Sequence, residues 1–125
     1  MTAFTFHKTE RLCSKILISK LFEKGNHYLN RFPFRFSWVE ANHDGTCPVQ
    51  VIFIVSKRNF PKAHDRNKVK RQIREFYRLN KHKLYKHLAE KKYVLQIAYT
   101  GKTIIKSSEL EPLFVKAFQE LITHV

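Results

Sequence analysis

Read at 3.6 residues per turn, the stretch from Arg66 to Arg78 divides into two faces, a pattern that fits a helix and not a strand. Val69, Ile73, Phe76 and Tyr77 recur at i, i+4, i+7 and i+8 and make an apolar stripe suited to a core. Arg66, Lys70 and Arg74 step by four along another face, with Asn67, Arg71 and Arg78 beside them. Glu75 alone dilutes the charge in between. A merely solvated helix face would interleave acids, because like charges at i, i+4 cost about 0.2–0.5 kcal/mol per pair. A helix that packs on one side and crowds cations on the other suits a polyanion. Asn67 adds a short amide able to hydrogen-bond sugar or phosphate oxygens, where lysine offers only charge.

The charge is local. The segment from Lys57 to Lys92 carries a net +11 of the chain's +14, and the pI is about 10.0. Solubility does not require so much, and nucleic acid is the first candidate partner. At 125 residues the chain predicts one domain spanning 1–125, and three glycines and four prolines argue against low-complexity segments. Cys13 and Cys47 form no CxxC pair and predict free thiols in a reducing compartment. No apolar run reaches signal-peptide or membrane-span length, so a cytoplasmic location is expected.

Ser14 can cap a first helix with apolar positions Leu17, Ile18, Leu21 and Phe22, stopped at Gly25. From Phe32 to Glu40 the period becomes two, with Phe32, Phe34, Phe36 and Trp38 on one face, and this predicts a strand. Pro33 places it at an edge or a strand start. Asn42-His43-Asp44-Gly45 reads as a turn, so Val49–Val55 is expected to return as the antiparallel partner. After the basic loop Lys57–Lys62 comes the long helix, from about residue 63 into the eighties. Tyr93–Thr100 reads as a buried strand, and Ser108 with Glu111 as a capping box for a last helix with Pro112 in its first turn. Leu110, Leu113, Phe114, Ala117, Phe118, Leu121 and Ile122 form its stripe. The fold class is α+β, with helices covering a small sheet.

Protein-borne catalysis finds no constellation here. Seven histidines form no HxxxH pair, ten acids are mostly isolated, and no Walker loop, GxGxxG or GxSxG is present. The cations read as a binding surface. Phe22, Phe34 and Phe36 are candidates to stack on unpaired bases, weighed against the commoner core role of aromatics at such spacings.

Ser56-Lys57-Arg58, a short loop, then Arg66-Asn67-Lys68-Val69-Lys70-Arg71-Gln72-Ile73-Arg74 closely resembles the signature of the bacterial ribonuclease P protein component. Arg11-Leu12, Phe22-Glu23-Lys24-Gly25 and Asn30-Arg31 sit where that family has its opening helix and first strand. The resemblance implies an α-β-β-β-α-β-α domain of a kind also seen in a ribosomal protein and in translation elongation factors, with a left-handed β-α-β crossover. It implies a protein that binds one catalytic RNA, in 1:1 ratio, and helps it remove the 5′ leader of precursor tRNA. The RNA would do the chemistry with Mg²⁺ bound mainly by itself, leaving no catalytic residue in the protein. Lys57, Arg58, Arg66, Asn67, Lys68, Lys70, Arg71 and Arg74 would contact the catalytic RNA. Ile18, Phe22, Phe34 and Phe36 would line a cleft for the leader. The chain departs from the family pattern at Ile18, where many members have an aromatic, and at Asn59–Lys62, one residue longer and without the usual Gly. A structural ribosomal-RNA-binding protein and a nonspecific single-strand-binding module would share the charge, but not the full Arg66–Arg74 pattern beside aromatics.

Overall fold

Residues 27–40, 48–88 and 91–125 are described by the computed structural model. They form β1 (His27–Arg31), β2 (Phe34–Glu40), β3 (Val49–Val55), α1 (Ala63–Leu88), β4 (Tyr93–Tyr99) and α2 (Ser107–His124). This is the expected α+β class. The helix expected over Ser14–Gly25, the turn at Asn42–Gly45 and both cysteines lie outside the described residues.

The four strands lie in the order β1-β2-β4-β3. β1 pairs antiparallel with β2, and β2 antiparallel with β4, while β3 and β4 run parallel. The strand Val49–Val55 is therefore not the antiparallel partner of β2, as its position in the chain suggested. β4 separates them because Val94, Leu95, Gln96 and Ile97 are buried in succession, a two-sided burial that suits a central strand. Parallel neighbours need a long crossover, and α1 supplies it. The strand expected from Phe32 begins at Phe34 instead. Phe32 and Pro33 form the turn between the paired residues Arg31 and Phe34, joined by a cis peptide bond.

Both helices pack on one face of the sheet, against Leu29, Phe34, Phe36, Trp38, Phe53, Leu95, Ile97 and Tyr99. Phe114 of α2 meets the rings of Phe34 at 5.3 Å and Phe76 at 5.7 Å, and Phe118 meets Tyr77 at 5.9 Å. These edge and tilted contacts fuse sheet, α1 and α2 into one aromatic core. The apolar stripe of α1 is buried as its spacing predicts, and continues through Leu84 and Leu88. α2 starts two residues earlier than the expected Ser108 cap implies. Lys106 occupies the cap position and makes no side-chain cap bond, so the Ser108–Glu111 box does not cap the helix, and Pro112 falls in its second turn. Leu113 leaves the stripe and is exposed, while Gln72 Nε2 ties α1 to the start of α2 by donating to Ile105 O at 2.9 Å and Ser107 Oγ at 3.0 Å.

Candidate nucleic-acid interface

The basic loop between β3 and α1 is built around two anchors. Ser56 accepts the Arg58 N–H on its hydroxyl and the Phe60 N–H on its carbonyl, both at 3.0 Å. Phe60 then turns into the core against Tyr99. Lys57 and Arg58 are left exposed between them. Arg66 closes the loop from the other side, its Nη1 donating to Phe60 O and Pro61 O at 2.9 Å each. Its guanidinium is thus partly committed to holding the loop. Lys70, one turn on, is half-buried as well. The face through Arg66 and Lys70 borders the core, because at 100° per residue both fall beside Ile73, Tyr77 and Leu84.

The outward face is a different set. Asn67, Arg71, Arg74 and Arg78 fall within about 60° of one another around the axis, with Lys68 further round. Asn67, Lys68, Arg71 and Arg74 are exposed, and none has a side-chain hydrogen bond or ion pair among the described residues. Arg78 differs, donating from Nε to Glu75 Oε2 at 3.0 Å. That hydrogen bond holds the Glu75 carboxyl below the usual carboxylate range and raises Arg78. The single acid is thereby engaged by Arg78, and the cations at 67–74 stay uncompensated. Further along, Lys81 is buried with its Nζ 5.9 Å from the Tyr85 ring, so the outward basic face does not continue evenly down the helix.

The expected leader cleft needs a correction. Phe34 and Phe36 lie on the helix-covered face of the sheet with 1% and 0% of their surface exposed, Phe36 packed on Phe114 and Phe118. Rings so enclosed cannot stack on a base. Ile18 and Phe22 lie outside the described residues. The residues alternating with Phe34 and Phe36 point the other way, and this face carries Tyr28, Asn30, Arg35, Ser37 and Gln96. Ser37 and Gln96 are register partners, both nearly buried, and Gln96 Oε1 is enclosed without a hydrogen-bond partner. Arg35 Cζ lies 5.5 Å over the Tyr28 ring. Strand alternation already held the signal for this set, but not which of the two faces the helices cover.

No group of three His, Cys, Asp or Glu side chains among the described residues is arranged to hold a metal ion. Among them, too, no helix is long and apolar enough to cross a membrane.

The Ribonuclease P family model matches residues 6–121. The chain belongs to the ribonuclease P protein family. With membership come a role in tRNA processing and a partner RNA. The ribonuclease P protein component of Porphyromonas gingivalis is 33% identical over 96 residues, which cover 77% of this chain and 69% of that one. That of Chlorobaculum tepidum is 52% identical over 77 residues, covering 60% of this chain and 50% of its own. The RNase P protein of Staphylococcus aureus superposes with a TM-score of 0.68 at 17% identity, over 90% of this chain and 94% of that one. The Thermotoga maritima RNase P protein does so at 0.62 and 22%, over 93% and 97%. At such identities the structural likeness speaks for the fold.

Proposed function

We propose that this chain is the protein subunit of ribonuclease P, gripping the catalytic RNA with the outward face of α1 and guiding the 5′ leader of precursor tRNA past the exposed β1–β2 end of the sheet at Tyr28, Asn30 and Arg35. One observation carries the reading: Asn67, Lys68, Arg71 and Arg74 stand exposed and uncompensated on one helix, with Lys57 and Arg58 held exposed at its start. Clustered this closely, they suit the phosphates of a single folded RNA, and arginine can grip phosphate bidentately. Arg66 and Lys70 contribute charge from the edge of that face, Arg66 while also fixing the loop.

For the leader, the exposed Tyr28 and Arg35 offer stacking planes. Ile18 and Phe22 are proposed for the same leader path on the resemblance of the opening segment to the family pattern. The chemistry belongs to the RNA, with Mg²⁺ held mainly by RNA oxygens, and the protein supplies position and charge.

Reconstitution tests this. Protein alone should leave precursor tRNA intact, while protein with its catalytic RNA and Mg²⁺ should release one discrete 5′ fragment. RNA co-purified with tagged protein from its own cells should be dominated by that catalytic RNA. Cleavage by nuclease-treated protein, or ribosomal RNA as the dominant species, would contradict the proposal.

A further inference from the structure

Two exposed aromatics sit on one hairpin, away from the basic helix. Tyr28 on β1 is 63% exposed and Phe32 in the β1–β2 turn 76% exposed, more than the other large hydrophobic residues at the surface among the described residues. Neither contributes to the core. A phenyl ring three-quarters exposed at a turn tip adds nothing to the core.

The surroundings give the ring a setting. Pro33, next to it, is buried, and its carbonyl accepts the Thr100 N–H at 2.7 Å, which fastens the turn to the end of β4. The following residue, Gly101, accepts from Asn59 Nδ2 at 3.5 Å, so the same rim continues into the loop bearing Lys57 and Arg58. Behind the turn, Arg35 lies over Tyr28 and has no acidic partner among the described residues, whereas Arg31 is ion-paired with Glu120. The hairpin therefore presents an aromatic ring topped by a guanidinium with no acidic partner among the described residues, and a second ring at its turn. Rings and guanidinium planes alternating with positive charge are what unpaired RNA bases stack on, with the sugar–phosphate chain drawn by the cations.

We infer that the β1–β2 hairpin, through Tyr28, Arg35 and Phe32, is a stacking platform for unpaired nucleotides of the precursor's leader, carrying it from the sheet face past the hairpin tip. This rests on the leader-guiding role proposed above. Single-stranded leader is the occupant because exposed rings beside a guanidinium suit unpaired bases and phosphate together, whereas the catalytic RNA is assigned to the uncompensated face of α1.

The test uses the holoenzyme reconstituted with its catalytic RNA and two precursors, one with a long leader and one with a single leader nucleotide. Phe32→Ala and Tyr28→Ala should each lower affinity for the long-leader substrate about tenfold, as removal of one base-stacking ring does. Affinity for the short-leader substrate should be unchanged, and Phe32→Trp should bind like the parent. Parent-like affinity in both alanine variants, or equal losses for both substrates, would overturn the inference. So would a loss confined to affinity for the catalytic RNA, which would give the hairpin to that partner. If the parent holoenzyme does not distinguish long from short leaders, the leader-guiding role itself fails. In that event free Phe32→Trp protein, titrated with a single-stranded RNA oligonucleotide, decides the platform: quenching of the new indole supports it, and unchanged emission overturns it.

Discussion

Arg66 and Arg71 carry the same side chain five residues apart, and the fold gives them different work. Arg66 donates twice to the carbonyls of Phe60 and Pro61, whereas Arg71 points outward without a partner among the described residues. Charged hydrogen bonds contribute about 1.5–3 kcal/mol each, so Arg66→Ala should lower stability by a measurable fraction of that in urea melts. Arg71→Ala should stay within about 0.5 kcal/mol of the parent, yet bind RNA more weakly. Equal stabilities for the two variants would contradict the division. Gly101 is constrained more tightly, since a Cβ there would stand 2.8 Å from the Tyr99 hydroxyl and 2.9 Å from its ring. The ring is buried and its hydroxyl donates to Thr103 O at 2.7 Å, so Gly101→Ala should cost about 1–3 kcal/mol through overpacking. Burial also pushes the Tyr99 phenol above the ordinary tyrosine value. Its folded pKa then exceeds its unfolded one, so the stabilisation is complete below about pH 10 and is lost as pH rises through the folded value. Tyr99→Phe should flatten the alkaline limb of the stability profile, and an unchanged limb would assign it to other groups.

Among the elements, α1 was the most legible, because its apolar spacing, helical period and charge all agree over several turns. Its buried residues Val69, Ile73, Phe76 and Tyr77 are those the spacing selects. The division of its cations was less so: Arg66 and Lys70 step with Arg74 in sequence, but they flank the core, and only the packing partner fixes where a face ends. β2 shows the same limit. Alternation separates Phe34 and Phe36 from Arg35 and Ser37, but which set meets the helices depends on Phe114 and Phe118, far along the chain. The pairing of β3 with β4 was hidden because strand order is written in long-range burial rather than in a neighbouring turn. Gln72 likewise sits in the basic motif but fastens α1 to α2. Gln72→Ala should destabilise the domain by about 1–2 kcal/mol, a neutral side-chain bond or two, with little change in the salt dependence of RNA binding. A steep change in that dependence would instead make Gln72 an RNA contact.

At the scale of the molecule, α1 and α2 pack on the same side of the sheet, and the uncompensated charge lies on the outer surface of α1. The exposed Tyr28 and Arg35 lie on the opposite face of the sheet at its β1–β2 end, so a single small domain can hold two RNA segments on different surfaces. The central claim is that the outward face of α1 binds RNA phosphate. Each phosphate contact releases condensed counterions, so the logarithm of affinity for the catalytic RNA should fall with the logarithm of salt concentration by roughly 0.7–0.9 per contact. The decisive measurement is that salt titration on the parent and on the double variant Arg71→Ala, Arg74→Ala, with circular dichroism and melting to verify the fold. The buried stripe is untouched, so the double variant should melt like the parent and show a slope shallower by about 1 to 2. An unchanged slope in a well-folded double variant would mean that these arginines face only water.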